Sequence, residues 1–365
     1  MKLTLDYPGF IDVHVHFRDP GMTEAETRYS GGAAARAGGF AAVVTMPNTS
    51  PAGDSVEWVR SQIEDPAIPV AVFPSACITR GRLGRQVSQM EALAQAGAAF
   101  FTDDGAYVQD AKVMEEAMMR AHKLGLAICE HAMDARIQAG GVIRDSPIAR
   151  KLGLPIISPD TEIAAIERDL SICRVTGCKL HIQHISTAQG VDLVRSAQKE
   201  GLPVTAEATP HHLLFCAEEL TFDDANWKMA PPIGNREDRA ELRKAVKDGV
   251  LMFATDHAPH PERTKSLGFA KSANGIIGLE TAIAITYHVM VELEDMGTDA
   301  WARAWWQKPR ELISDPFGRL ECLGRTVVEI GKMREVRIKK FKSLSRNCPY
   351  DGMKFDCWPK EVTNG

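Results

Sequence analysis

The sequence predicts an α/β chain folded as a (β/α)8 barrel of the TIM type, with a small reduced C-terminal appendage. Three observations predict it. Eight short apolar runs alternate with amphipathic stretches along most of the chain. Those runs are nearly continuously apolar, the pattern of parallel strands covered on both faces. Six of the eight end in a residue suited to metal ligation or hydrogen bonding, at the rim where such barrels build their active sites.

The first strand spans 10–16 within "GFIDVHVHFRDPG", and a period of two puts His14, His16 and Arg18 on one face. A helical pattern at 23–37 leads to the second strand, 41–47 ("AAVVTMP"), with Asn48 just past it. The third and fourth strands are 70–78 and 99–103, separated by a helical pattern at 85–96. Asp103 and Asp104 close the fourth; being adjacent, only one points inward and the other bonds nearby backbone. A helix at 110–124 precedes the fifth strand, 126–131, which ends on His131. A helix at 160–176 precedes the sixth, 180–185. His181 and His184 differ by three and face opposite sides; His184, nearer the rim, is the ligand candidate. The series closes with a helix at 187–200, a strand at 203–208, a helix at 236–248 and a strand at 250–255 followed by Asp256. His211 and His212 are open between bordering the pocket and a structural role, and nothing points His122, His257 or His288 toward catalysis.

Beyond about residue 315 the alternation degrades into a basic, weakly patterned stretch and a Gly/Pro-punctuated tail. Residues 1–318 are therefore assigned to the barrel. Residues 319–365 are assigned to an extension that packs on it or is partly ordered. A length of 365 residues admits two average domains or one barrel.

Composition narrows the function. With 44% hydrophobic and 25% charged residues, the chain is an ordinary globular sequence. A net charge of -5 offers no basis for binding nucleic acid or an anionic membrane. No run approaches the length of a membrane span, and the N-terminus lacks a signal pattern. Eight cysteines without a Cys-x-x-Cys pair suit reduced thiols and a cytoplasmic setting, and argue against a zinc ribbon.

Zinc accepts imidazole nitrogen and carboxylate oxygen, and catalytic sites keep a position open for water. His14, His16, Asp104, His131, His184 and Asp256 are too many for one catalytic zinc but suit two ions sharing a bridge, with Asp104 as the bridging candidate. Such a pair lowers the pKa of a shared water and polarises a carbonyl. Asp256 would also carry a proton from the attacking oxygen to a leaving nitrogen.

"DVHVHFRDP" (12–20) and "ATDHAPHPERTK" (254–265) resemble the two signature segments of dihydroorotases in the amidohydrolase superfamily. "MPNT" (46–49), "FTDDG" (101–105), "HIQHIST" (181–187), "TPHHL" (209–213) and "GIIGLET" (275–281) are similar to that family too, in its order. The resemblance implies His14 and His16 on a first zinc beside Asp256, and His131 and His184 on a second. Asp104 would bridge them, as in the bacterial branch that uses aspartate in place of a carbamylated lysine; "GAAFFTDDG" contains no lysine. Arg18, Asn48 and His260 would bind the substrate's carboxylate and ring, a task that suits a planar guanidinium. The implied reaction interconverts N-carbamoyl-L-aspartate and dihydroorotate in pyrimidine biosynthesis. A homodimer and an association with aspartate transcarbamoylase are both compatible with it. Segment 261–274 is expected at the pocket edge or as a lid.

Three departures stand out. Thirteen residues precede His14, so an N-terminal subdomain of the family is expected to be absent or reduced. Ala230 and Gly234 stand where bacterial members commonly carry asparagine and arginine, which removes one ring contact. "KSAN" replaces an Ala-Pro turn before Gly275. The alternatives are another cyclic amidase, acting on hydantoin-like or allantoin-like rings, and a catalytically impaired scaffold.

Overall fold

The computed structural model of the protein describes residues 3–63, 65–363 and 365. The chain begins with β1 (Leu3–Pro8), which stands outside the barrel. β2 (Phe10–Val15), β3 (Phe40–Thr45) and β4 (Ala71–Pro74) pair in parallel. β5 (Ile128–Glu130), β6 (Leu180–Ile182), β7 (Val204–Ala208) and β8 (Leu251–Phe253) form a second parallel arc.

Two junctions close the ring. Val15 bridges to His257, and His16 N donates to His257 O at 2.9 Å. On the other side, the segment expected as the fourth strand is reduced to bridges from Phe101 to Ala76 and to Ile128. Its backbone is nonetheless paired with both neighbours: Ala99 N to Pro74 O at 2.8 Å, and Phe101 N to Ala127 O at 3.0 Å. Eight parallel members therefore make one barrel, as the alternation predicts.

Helices cover the outside at 28–37, 111–124, 160–176, 188–199, 236–247 and 298–312, among others. Side-chain caps set several of their starts. Thr27 accepts from Ser30 N and Ser30 answers in a capping box, so the helix expected from 23 begins at Arg28. Asn235 closes the same kind of box with Asp238, and Thr187 caps its helix by accepting from Gly190 N. The helix expected at 85–96 starts only at Met90, because Thr79 and Val87 pair across the preceding turn.

β2 departs from strict alternation. Asp12 pairs with Val43, yet Val15 pairs with Thr45, so three steps on β2 match two on β3. This bulge changes which face each residue takes. Ile11 and Val13 pack in one cluster with Val44, Cys129 and Met252. Phe10 and Val15 belong to the larger cluster that includes the helices. His14 and His16 are thereby turned toward the mouth.

The chain ends in a second layer of short strands: β9 (Arg325–Ile330), β10 (Arg334–Glu335), β11 (Lys354–Phe355) and β12 (Trp358–Val362). β9 lies antiparallel between β1 and β12, and β10 pairs with β11. Between β10 and β11, residues 343–347 run back to the barrel mouth, where Leu344 N donates to Glu26 at 3.1 Å. Among the described residues, no helix is long and apolar enough to cross a membrane.

Candidate metal centre

The six ligand candidates come from five positions around the ring and meet at the C-terminal mouth of the barrel. His14 Nε2 lies 3.4 Å from Asp104 Oδ1 and 3.5 Å from Asp256 Oδ1. His16 Nε2 lies 3.4 Å from Asp104 Oδ2 and 3.0 Å from Asp256 Oδ1. His131 Nδ1 and His184 Nε2 stand 3.4 and 3.5 Å from Asp104 Oδ1, and 2.8 Å from each other. Asp104 thus faces all four histidines.

Several of these separations exceed a good hydrogen bond. They match donors that share an ion, since zinc bonds of about 2.0–2.1 Å in a tetrahedron put neighbouring donors about 3.3–3.4 Å apart. His14 Nε2 and Asp104 Oδ1 are also buried without any hydrogen-bond partner. An orphaned imidazole nitrogen and an orphaned carboxylate oxygen, side by side, fit a divalent cation. Among the described residues, two sets meet the spatial requirement, His14–His16–Asp256 and His14–Asp104–His184.

The outer partners fit the same reading. His14 Nδ1 donates to Glu207 Oε1 at 2.7 Å and His16 Nδ1 to Asn48 Oδ1 at 2.8 Å. When the imidazole is neutral, each bond leaves Nε2 free to take a metal. Burial by itself would raise the Asp104 carboxyl, but His14, His131 and His184 hold it well below the usual carboxylate range. Burial likewise works against Asp256, and His14 and His16 overcome it, so Asp256 is ionised. Glu207 is held at about 2, where His14 and His181 outweigh its burial.

Backbone strain gathers here as well. Arg18 (φ 58°), His184 (φ 34°) and Asp256 (φ 49°) all adopt positive φ. L-residues in that region cost about 1–3 kcal/mol each and cluster where function over-determines them.

The cluster opens into a cavity of about 270 Å³ whose wall includes Arg18, Asn48, Tyr107, Ala230, His260 and Gly275. Arg18 reaches it although the chain has left β2, so the expectation that it shares the strand face of His14 and His16 does not hold. A left-handed backbone turns it, and its Nε donates to Pro259 O at 3.2 Å. His260 Nε2 donates to Asn274 O at 2.6 Å. Burial and the nearby Arg18 charge lower His260 to about 3, so it is neutral. Asn48 faces the cavity too, but its oxygen is committed to His16.

The remaining candidates separate cleanly. Asp103 turns away and accepts from Thr79 N at 3.1 Å and from the Thr79 hydroxyl. His181 binds Glu207 at 2.9 Å and Thr205 at 2.8 Å. His212 is used by Thr209 and Pro231 O. His211 is buried with Nε2 unpartnered and is not part of the cavity wall.

Sequence reasoning missed Glu207 and Asp12. Glu207 links His14, His181 and His184 N, while Asp12 accepts from Thr255 N at 3.1 Å, from Thr255 Oγ1 at 2.5 Å and from His14 N at 3.2 Å. The signal was available: each is a lone carboxylate inside an otherwise apolar or neutral strand, and a buried charge requires partners.

A closed parallel barrel with a His-x-His strand, two further histidines and two aspartates at its C-terminal mouth defines a metal-dependent amidohydrolase. Residues 3–190 match the family model described as Dihydro-orotase-like. The chain is 41% identical over 358 residues to a dihydroorotase of Geobacillus sp. (strain WCH70), covering 96% of this chain and 84% of that one. A dihydroorotase of Bacillus subtilis (strain 168) is 38% identical over 359 residues, with the same coverage. The chain belongs to the dihydroorotase family. Solved structures share the fold: a dihydropyrimidinase from Brevibacillus agri NCHU1002 superposes with a TM-score of 0.82 at 20% identity, over 99% of this chain and 84% of that one. Saccharomyces cerevisiae dihydroorotase in complex with 5-fluoroorotic acid gives 0.79 at 17% identity, over 99% and 100%.

Proposed function

We propose that the chain is a zinc-dependent dihydroorotase that interconverts N-carbamoyl-L-aspartate and dihydroorotate for pyrimidine biosynthesis in the cytoplasm. One observation carries the reading: a half-buried arginine, Arg18, lines the same cavity as the His/Asp cluster. That pairing suits a substrate bearing both a carboxylate and a ring amide. The relatives at 38–41% identity support it.

His14, His16 and Asp256 would hold one zinc, His131 and His184 the other, and Asp104 both. When bound, the pair would lower the pKa of a water and polarise the ring carbonyl. The side chains of the protein do the rest. Arg18 grips the substrate carboxylate with its planar fork. Asn48 keeps its oxygen on His16 and presents its amide nitrogen to the ring. In the hydrolytic direction the oxygen of water joins the carbonyl carbon and the ring C–N bond breaks. Asp256, ionised beforehand, takes the proton from that water and delivers it to the departing nitrogen, which becomes the ureido NH2. Ring closure reverses each step.

The test is a substrate comparison under identical zinc loading: dihydroorotate, hydantoin and allantoin. Dihydroorotate is expected to turn over fastest, with close to two zinc ions per chain by metal analysis. Preferred turnover of either neutral ring would overturn the assignment.

A further inference from the structure

We propose that Asn347, on the segment returning from the C-terminal layer to the barrel mouth, is a positioning residue for substrate recognition. It holds in register the wall formed by Ala258, His260 and Gly275. The inference rests on the function proposed above.

Asn347 is 4% exposed, and its side-chain amide is spent on the backbone of two separate loops. Its Oδ1 accepts from His260 N at 3.1 Å. Its Nδ2 donates to Ala258 O at 2.9 Å and to Gly275 O at 3.0 Å. Its own carbonyl accepts from Ile277 N at 2.9 Å. One residue therefore braces both the turn after Asp256 and the segment at 275–277, which also meet directly through the His257–Ile276 bridge. Ala258, His260 and Gly275 all line the cavity beside Arg18.

The fit there is close. Gly275 sits at φ 121°, and a Cβ on it would meet Ala258 Cβ at 2.6 Å. A small displacement of this wall changes where His260 and Arg18 meet the substrate, and misplacements near 1 Å cost large factors in enzyme efficiency.

The supporting segment is anchored independently of the Asn347 amide. Glu280 accepts from Lys342 N at 2.7 Å and Ser343 N at 3.1 Å. Glu26 accepts from Leu344 N at 3.1 Å and from the Ser343 hydroxyl, and Ser345 Oγ donates to Ala25 O at 2.7 Å. The outer part of the 261–275 loop has its own ties, with Lys228 Nζ on Ala270 O at 2.7 Å and Lys265 Nζ on Ala273 O at 2.9 Å. The wall itself keeps Ala258 N on Ile276 O at 2.8 Å, Gly275 N on Lys228 O at 2.9 Å and Lys265 Nζ on Gly275 O at 3.0 Å. Truncating Asn347 thus loosens the wall, above all at His260, and leaves the segment and the outer loop in place.

The experiment uses the full zinc-loaded chain with Asn347→Ala and Asn347→Asp. The aspartate keeps the shape and the acceptor for His260 but loses both donors, and it supplies the readouts if the alanine variant does not fold. The KM for dihydroorotate is expected to rise about tenfold while kcat stays within about threefold and zinc content is unchanged. Amide hydrogen exchange should accelerate across 257–277 and not across 342–346. An unchanged KM with unchanged exchange at 257–277 would overturn the role, as would a fall in kcat alone. If the wild-type chain does not turn over dihydroorotate, the functional reading fails, and the exchange comparison still decides whether Asn347 holds the wall.

Discussion

The two ends of this barrel present opposite kinds of cavity. At the end where β3 and β4 begin, a space of about 770 Å³ is lined by Arg36, Val70, Ala71, Arg319 and their neighbours. Its prominent polar groups are satisfied. Arg36 donates to Pro69 O at 3.1 Å and Val362 O at 2.7 Å, and Arg319 donates to Val72 O at 2.8 Å. The mouth at the other end is smaller, about 270 Å³, yet it contains buried donor atoms with no partner, His14 Nε2 and Asp104 Oδ1. Volume does not mark the reactive end. The convergence of four histidines and two aspartates does, with two adjoining ligand atoms left unpartnered, because a protein tolerates so dense a buried cluster of ligating groups only where an ion completes it.

The sharpest way to break that contrast is at the mouth. Asp256→Ala should lower kcat by about a thousandfold, the scale of a lost proton-transfer group, while zinc remains measurable on the four histidines and Asp104. Turnover near the wild-type rate would remove Asp256 from the mechanism. Arg18→Ala should raise the KM for dihydroorotate about 10- to 100-fold and that for an uncharged cyclic imide by less than about threefold. Equal effects on the two substrates would argue that Arg18 shapes the loop and does not read the carboxylate.

Glu280, which anchors the 342–343 backbone near the mouth, offers a pH test. Burial raises its carboxyl to about 7 despite the N–H groups of Ser343 and Lys342 that lower it. The folded chain therefore binds this proton more tightly than the unfolded chain does. That stability is fully present below the ordinary value of 4.5 and is lost as pH rises through about 7. Between pH 5 and 8 the wild type should lose about 1–2 kcal/mol more than Glu280→Gln in denaturant titrations, a figure discounted for partial exposure. Parallel pH curves for the two proteins would contradict it.

The smallest effect belongs to the far end. Arg319 stands 4.5 Å from the Phe73 ring centroid besides its carbonyl bond. Arg319→Ala should cost about 1 kcal/mol of stability and leave kcat/KM unaltered. A large kinetic defect would mean that the two ends are coupled.

Much of the fold was legible beforehand, since long alternating series of apolar runs and amphipathic stretches follow from burial alone. The helix at 160–176 falls where its pattern predicts, whereas the one expected at 23–37 begins later because Thr27 and Ser30 close a capping box. The fourth strand is reduced to bridges at Phe101, although its backbone still pairs with both neighbours. In the site, alternation alone misjudges how Arg18 is aimed, since the bulge in β2 and a left-handed turn intervene. Asn48, assigned to the substrate, also proves to orient His16.

Residue type and order along the chain were enough to determine the barrel, the chemical nature of the donors and the end at which they gather, because hydrophobic periodicity and ligand chemistry are local properties. Only the folded structure decided which oxygen faces which nitrogen, that Glu207 and Asn48 orient His14 and His16, and that Asn347 reaches back to His260. Those relations join residues far apart in the chain, and contacts of that kind depend on how distant backbones pack, for which no short stretch of sequence carries a signal.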